Sequence, residues 1–325
     1  MSDSNIHFQL DVESHSTKDF GLFGPDSITW KVWSHPAAFV GLTRSFYIEV
    51  LGSMDAAAAL ADRATYKSDP VGRLSRTMSY FLTVIFGDTE TVKKANNRLF
   101  KLHSHIKGNV PLTGKHYSAH DPLLVVGTHL ITWHSVYYAY EKLVGKLPIE
   151  EEQQYFKESI RYLECLKEVY PYLSIASVKE SALQHGYDIT SLNEIEKLPD
   201  TREEFRNYIR LTNSKAVITQ QTRDIINTLL DPSAVETDDR LMSLILKFYP
   251  VLKVIVVTLT PKEICNLAGL SRSSGKDKFA ILLGKLFVRT VSIEMIKALF
   301  ESRIGTNGYV LMNNAMRANK RLSVS

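Results

Sequence analysis

Histidines and arginines in the first half of the chain are the residues whose type and spacing could support chemistry. His103 lies in a stretch that begins at Asp88, where apolar residues recur at intervals of three and four. That periodicity predicts an amphipathic helix with His103 on its buried stripe and His105 on its polar face. A buried neutral imidazole can bind iron, although the pattern alone favours a structural histidine that is hydrogen-bonded to the backbone. The same predicted stripe contains Val92, Ala95, Leu99, Leu102 and Ile106.

A basic cluster precedes this stretch, near the start of the segment from Asp69 to Gly87. Arg73 and Thr77 are four residues apart and share one face of a helix, with Arg76 one turn behind them. Such a cluster could hold the carboxylates of a cofactor or stabilise oxygen-derived negative charge. Taken alone, the pattern favours an ordinary solvated basic face.

Two further histidines interrupt a long apolar stretch that runs from Leu123 to Leu143. A helix that is apolar almost all round is expected to pass through the centre of a domain. His129 and His134 are five residues apart, which places them on different faces and makes them a poor joint metal site. A structural role is the simpler interpretation of each.

Other catalytic and metal-binding patterns are missing. No zincin, di-iron, nucleotide-binding or serine-hydrolase motif occurs. His116 and His120 have i,i+4 spacing, but an Asp-Pro pair follows them and predicts a loop rather than a helix. The two cysteines, Cys165 and Cys265, form no CxxC pair, which excludes zinc ribbons and covalent haem attachment and fits a reducing compartment.

The elements that position these residues are predicted to be helices, because helical periodicity dominates from Trp30 onward and strand-like alternation is scarce. Helix starts are expected at three Asp caps and at a Thr-Glu capping box. The sequence predicts an all-α fold of about ten helices without notable strands. The expected caps are Asp69, Asp88, Asp121 and Thr201 with Glu204, a short helix is expected after Pro261, and helix ends are expected at Gly87, Gly108, Gly145, Gly269 and Asn307-Gly308.

Composition sets further bounds. A chain of 325 residues can bury a large core and enclose a cofactor. A net charge of +4 gives no reason to expect nucleic acid or an anionic membrane as a partner. The N-terminus lacks a signal peptide pattern and no apolar run is long enough to span a bilayer, so we expect a cytoplasmic protein without an integral membrane segment. We predict a mobile arm at residues 1–20 and a single helical domain at 21–325, with a core at 21–270 and a helical extension at 271–325.

Short motifs follow one another in a characteristic order between residues 20 and 165. They are Gly24-Pro25, Trp30, Ser68-Asp69-Pro70, Arg73, Arg76-Thr77, Phe86-Gly87, His103, Gly108, Tyr117, Ala119, Asp121-Pro122 and His129. In this order the sequence resembles the catalytic domain of the latex-clearing rubber oxygenases and of the oxygenase of mycophenolic acid synthesis. A weaker match continues to residues 260–270.

The resemblance implies a globin-like helical domain that encloses non-covalent haem b and uses O2 to cleave carbon–carbon double bonds in isoprenoid chains. His103 matches the family's proximal iron ligand, and His129 is its main rival for that position. The resemblance further implies that four residues line the haem pocket, the first three as catalytic residues: Arg73, Arg76, Thr77 and Tyr117.

The chain also departs from the family pattern. Gly127 replaces an aromatic residue, which could enlarge a pocket, and Cys265 or Asn266 takes the place of an arginine. Met54-Asp55 replaces a His-Pro pair, and Asp55 is the nearest candidate for the acidic residue that rubber-cleaving members carry near the oxygen site. These departures bear on the substrate more than on haem binding.

The resulting prediction is a haem-b-dependent oxygenase that acts with O2 on a small apolar substrate, with oxidative cleavage of a C=C bond as the candidate reaction. Helices over residues 37–51 and 122–143 are expected to wall the substrate pocket. Two alternatives stay open: a haem protein of the peroxidase or sensor type, and a helical binding protein without a cofactor.

Overall fold

A computed structural model of the chain describes residues 19–62, 69–230, 239–270 and 273–322. The chain is all-α, and within the described residues the only sheet is one short hairpin. The elements are α1 Ile28–Trp33, α2 Ala37–Gly52, α3 Met54–Asp62, α4 Pro70–Phe86, α5 Thr89–His103, β1 Lys107–Asn109, β2 His116–Ser118, α6 Pro122–Leu143, α7 Ile149–Glu158, α8 Ile160–Lys167, α9 Ile175–Gln184, a 3-10 turn Thr190–Leu192, α10 Arg202–Asn213, α11 Gln220–Leu230, α12 Arg240–Lys247, α13 Tyr249–Leu259, α14 Lys262–Leu267, α15 Ser274–Val291, α16 Glu294–Glu301 and α17 Thr306–Leu322.

The centre of the molecule is α6, as its uniform apolarity predicted. Sixteen of its 22 residues are buried. Its most extensive contact among the described elements is with α2. A Cβ atom on Gly41 of α2 would come within 2.4 Å of the Cα atom of Val136, so the close approach of these two helices requires glycine at this position.

The predicted helix starts are confirmed by their caps. The carboxylates of Asp69, Asp88 and Asp121 each accept a backbone N–H in the first turn of α4, α5 and α6. Thr201 and Glu204 form a reciprocal capping box at the start of α10. These interactions involve neighbours in sequence, which is why the sequence could predict them.

Three local predictions were wrong. The helix begun at Asp88 ends at His103, and Gly108 lies instead in β1, opposite Tyr117 of β2. Leu102 was expected on the buried stripe but is 40 % exposed. Asn307-Gly308 lies in the first turn of α17, which begins at Thr306, rather than at the end of a helix. Gly308 allows α17 to pack closely on α4, since a Cβ there would lie 2.8 Å from the Cα atom of Ser79.

The number of helices was also underestimated: about ten were expected, and the described residues contain 17. The predicted N-terminal arm falls mostly on residues 1–18, which lie outside the described residues. Asp19 is described, and its carboxylate accepts hydrogen bonds from Gly21 and from Thr89 at the start of α5. No helix within the described residues has both the length and the apolarity required to cross a membrane.

Candidate functional site

His103 lies at the C-terminal end of α5 and is half-buried. Its Nδ1 atom is 3.1 Å from the hydroxyl oxygen of Tyr170, a residue that follows α8. His105 is exposed, so the periodicity correctly predicted which of the two histidines turns toward the interior. A buried phenol beside one ring nitrogen fixes the direction in which the imidazole points.

Three ring-bearing side chains, Phe100, His120 and Tyr170, lie close to His103. His120 stacks on Phe100, with ring centroids 4.4 Å apart, and its Nε2 atom is 2.9 Å from the Phe100 carbonyl oxygen. Tyr170 packs edge-on against both rings. The centroids of His103 and His120 are 6.4 Å apart. The loop between β2 and α6 therefore brings a second imidazole close to the candidate ligand, which the spacing of His116 and His120 did not indicate.

Tyr117, the predicted haem-pocket tyrosine, lies in β2 and is buried. It packs with Ala58 of α3 and Val110 of the hairpin in a small apolar cluster separate from the main core. A Cβ on Gly108 would lie 3.0 Å from its hydroxyl oxygen, so the hairpin closes tightly over the ring. Tyr117 thus joins the hairpin to α3 within the part of the chain that contains His103.

The basic cluster of α4 divides into two parts. Arg76 is exposed and pairs with Asp69, the cap of its own helix, at 2.8 Å. Arg73 is half-buried, and its charge acts on Glu49 of α2. The Thr77 hydroxyl donates to the Arg73 carbonyl oxygen at 3.2 Å. Arg73 and Thr77 therefore share a face as predicted, whereas Arg76 has the solvated position that the pattern alone favoured.

A small cleft with about 20 Å³ of free space lies between α2 and the first half of α6, the two helices predicted to wall a substrate pocket. Its walls are mostly apolar, and Glu49 is the only ionisable carboxyl group among the residues that line it. Burial raises the pKa of Glu49 to about 8, against smaller opposing effects of the Thr128 and Thr132 hydroxyls and of Arg73. The Thr128 hydroxyl donates to Glu49 Oε2 at 3.4 Å. The lining residues are Ile48, Glu49, Gly52, Ser53, Ala56, Leu123, Leu124, Gly127, Thr128, Ile131, Tyr187 and Thr212.

Glu49 is enclosed by protein yet keeps part of its surface open to the cleft. At neutral pH its carboxyl group is therefore mainly protonated, and a modest change in surroundings would release the proton. A carboxyl group with a pKa near the working pH is suited to general acid–base chemistry. Gly127 lines the same cleft, and a Cβ there would lie 3.2 Å from the hydroxyl oxygen of Tyr208, so this position is closely packed.

His129, the rival ligand, lies deep in the core of α6. It is 1 % exposed, and neither ring nitrogen has a hydrogen-bond partner among the described residues. Burial lowers its pKa to about 3, so the ring is neutral at physiological pH. It packs between Trp133 and Tyr162, with centroids 4.9 and 5.1 Å away. His134 is likewise buried and neutral, and it stacks on Tyr138.

Asp55, the nearest candidate for an acid beside the oxygen site, is engaged elsewhere. His185 Nδ1 lies 3.0 Å from Asp55 Oδ2, and its Nε2 lies 3.3 Å from Asp121 Oδ2. Hydrogen bonds to Asp121 and Asp55 raise the pKa of His185 to about 9 against the opposing effect of burial. Ser181 donates to the second Asp121 oxygen at 2.6 Å. We call Asp55, His185 and Asp121 the histidine clamp, because they join α3, the end of α9 and the start of α6.

Two charged residues of α2 escaped the sequence analysis. Glu49 lines the cleft, and Arg44 is almost fully buried, donating to the carbonyl oxygen of Leu259 at 2.8 Å and to Ser135 Oγ at 2.6 Å. Burial lowers the pKa of Arg44 to about 10. Their position in the sequence could have identified them: they are the only charged residues in an otherwise apolar helix, and buried charges in such helices are rare.

The surroundings of His103 are compatible with its serving as an axial ligand of haem iron. Haem iron can take a single imidazole from the protein, and a hydrogen-bond partner on the other ring nitrogen normally orients that ligand. His103 has such a partner in Tyr170, whereas His129 has none among the described residues. The described residues contain no cluster of three or more His, Cys, Asp or Glu side chains that could hold a free metal ion. The donor set therefore suits a haem better than a bare metal centre.

Comparison with protein families gives a match that extends over residues 30–293 and thus over most of the chain. The family is described as "ER-bound oxygenase mpaB/B'/Rubber oxygenase, catalytic domain". No curated protein matches the chain, and no solved structure matches it. The matched residues include α2, α4, α5 and α6, which carry Glu49, Arg73, His103 and the cleft. The chain belongs to the mpaB and rubber oxygenase catalytic-domain family, a family of oxygenases.

Proposed function

We propose that this protein is a haem-b-dependent oxygenase that uses O2 to oxidise a small apolar substrate, with cleavage of a C=C bond as the expected outcome. Family membership supports the oxygenase class. The observation that carries the proposal is the position of Glu49, a carboxyl group with a raised pKa in the wall of an apolar cleft between α2 and α6. A buried acid that lacks a full counter-charge costs stability, which is more typical of a site than of a scaffold.

His103 is the residue we expect to hold the haem, with its ring oriented by Tyr170. Arg73 is the cation best placed to anchor a propionate, since it is half-buried, while the exposed Arg76 would contribute less. Tyr117 would contribute to the pocket from the hairpin side. When bound, haem b supplies the binding and activation of O2.

The chain's own residues would orient the substrate, exclude water from it and take up or release a proton. Apolar side chains such as Ile48, Leu124 and Ile131 line the cleft and would exclude water from a hydrocarbon substrate. Glu49 would take up or release one proton at Oε2, with the Thr128 hydroxyl steadying that oxygen. Arg73 favours the ionised form of Glu49, so the two residues would act together on charge that develops in the cleft.

The test is oxygen uptake by the full chain after haem loading, with a panel of isoprenoid and aromatic substrates and mass analysis of the products. We expect uptake with an apolar alkene, and Glu49→Gln should lower kcat by about 100-fold without loss of haem. Glu164→Gln, at an exposed position on α8, is the matched control and should leave kcat unchanged. Haem binding without substrate-dependent uptake would favour a sensor or peroxidase, and a colourless chain that refuses haemin would favour a binding protein.

A further inference from the structure

The outward face of α15 is apolar although it faces solvent. Phe279, Leu282 and Leu286 are 60 %, 63 % and 61 % exposed, and they recur at the i, i+3, i+7 spacing of one helical stripe. We call these three residues the outer stripe. Exposed apolar residues continue past the helix at Ile293 and Met295, which are 55 % and 79 % exposed. Large apolar side chains grouped in this way usually mark a binding surface.

The orientation of α15 is fixed by its opposite face. A Cβ on Gly284 would lie 2.6 Å from Leu143 Cδ2 and 3.2 Å from Ile255 Cγ2, so glycine allows α15 to pack closely on α6 and α13. Ala280 and Val288, one turn to either side of Gly284, are buried. The helix therefore already has a buried face, and the outer stripe is a second apolar face directed away from the core.

Basic side chains flank the outer stripe. Lys278, Lys285 and Arg289 are exposed and lie along one side of it, and Lys276 lies on the other. Asp277 is the only acidic residue in α15, so the helix carries three more positive than negative charges. The small net charge of the whole chain concealed this local concentration, which is why composition gave no reason to expect an anionic surface as a partner.

We propose that the outer face of α15 docks the protein onto the surface of an anionic lipid bilayer, with the stripe inserted at the interface and the basic side chains contacting headgroups. An apolar stripe bordered by Lys and Arg is the pattern of helices that lie in the membrane interface. The charges argue against a second copy as the occupant, because two such faces brought together would juxtapose like charges. The proposal is independent of haem, since α15 carries none of the site residues.

The experiment is sedimentation of the full chain with vesicles of phosphatidylcholine alone, or with about three parts in ten of phosphatidylserine, at about 0.1 M salt. We expect binding to the anionic vesicles at least tenfold above binding to the neutral ones. Leu282→Glu/Leu286→Glu should reduce it at least tenfold, and so should Lys278→Glu/Lys285→Glu/Arg289→Glu. The matched control is Leu112→Glu/Leu183→Glu, which adds the same charge at leucines that are 63 % and 57 % exposed elsewhere, and it should still bind.

Thermal melting of each variant checks that it is folded, and exposed positions should change little. Three results would overturn the proposal: no binding of the wild type to anionic vesicles, equal loss in the Leu112→Glu/Leu183→Glu control, or equal binding to neutral vesicles. Light scattering in solution adds a fourth. A dimer that Leu282→Glu/Leu286→Glu dissociates, without vesicle binding by the wild type, would assign the face to a second copy of the chain.

Discussion

The histidine clamp and the cleft around Glu49 both contain buried ionisable residues, but they differ in how far nearby partners offset the effect of burial on the pKa. In the clamp, both nitrogens of His185 face a carboxylate, and the pKa of Asp121 is lowered because the hydrogen bonds from His185 and Ser181 outweigh the opposing effect of burial. In the cleft, the Thr128 and Thr132 hydroxyls and the charge of Arg73 do not outweigh the effect of burial, which raises the pKa of Glu49 to about 8. The clamp is compensated, whereas Glu49 is compensated only in part.

The difference separates structural from functional charge. A compensated ion group can join elements, and here it connects α3, α9 and α6, with mutual attraction and hydrogen bonds opposing the cost of desolvation. A buried carboxyl group without full compensation destabilises the fold, but its proton can be exchanged near neutral pH. Both groups contain acids within the family-matched region, yet only the surrounding partners distinguish their roles.

The largest effect is expected from breaking the clamp at Asp121. Asp121→Ala removes the α6 cap and leaves His185 with one partner, so unfolding free energy should fall by about 2–4 kcal/mol. Urea denaturation at pH 6 measures it. Asp26→Ala, at an exposed position, is the control and should leave the midpoint nearly unchanged. A loss below about 1 kcal/mol for Asp121→Ala would mean that the clamp does not stabilise the fold.

The pH dependence of the clamp provides a second test. Because the folded pKa of His185, about 9, exceeds the ordinary value of 6.5, its stabilisation is fully present below pH 6.5 and disappears as the pH rises through 9. His185→Gln should therefore lower stability by about 1–2 kcal/mol at pH 6 and by much less at pH 9.5. Denaturation curves at several pH values give the comparison. A constant difference across this range would contradict an imidazolium in the clamp.

The contribution of Glu49 also falls as the pH rises, but here the substitution is expected to stabilise the fold rather than destabilise it. Glu49 has a folded pKa of about 8 against an ordinary 4.5, so its ionisation destabilises the fold increasingly as the pH rises from 4.5 to 8. Glu49→Gln should match the wild type near pH 4.5 and exceed it by about 1–2 kcal/mol at pH 9. The same denaturation series measures it. Equal stability of the two proteins at pH 9 would show that Glu49 is better compensated than its contacts indicate.

The smallest effect concerns the close packing around Gly127. A Cβ there would lie 3.2 Å from the hydroxyl of Tyr208, which is buried and donates to the Leu123 carbonyl oxygen. Because Tyr208 is held in place, Gly127→Ala should destabilise by about 1 kcal/mol despite the better helix propensity of alanine. Gly275→Ala, whose Cβ meets open space, should be neutral or stabilising. Thermal melting of both variants tests this prediction. A stabilised Gly127→Ala would show that the residues of the cleft wall can move to accommodate the added Cβ.

Features that depend on residues close together in the sequence could be predicted, whereas features that depend on distant residues could not. The caps at Asp69, Asp88 and Asp121 depend on the next few residues and were predicted correctly. The direction of His103 followed from helical periodicity. The pairing of Gly108 with Tyr117 was missed, because strands of three residues give no alternating pattern long enough to detect.

Interactions between helices were harder to predict than the helices themselves. Glu49 and Arg73 are distant in sequence and meet only after α2 and α4 pack, so no local pattern links them. The pairing of Asp55 with His185 likewise joins residues that are far apart in sequence. Which carboxyl group is compensated depends on partners from several elements, and that information is absent from any single helix.

Haem binding through His103 is the central claim, and one measurement tests it most directly. The full chain, His103→Ala and His129→Ala are expressed with haem supplementation, and each is assayed by the pyridine haemochrome method together with its absorption spectrum. We predict about one haem b per wild-type chain, retention in His129→Ala, and loss of stoichiometric haem in His103→Ala with the fold preserved. Full haem content and an unchanged Soret band in His103→Ala would contradict the assignment, and the same loss in His129→Ala alone would transfer the ligand to His129.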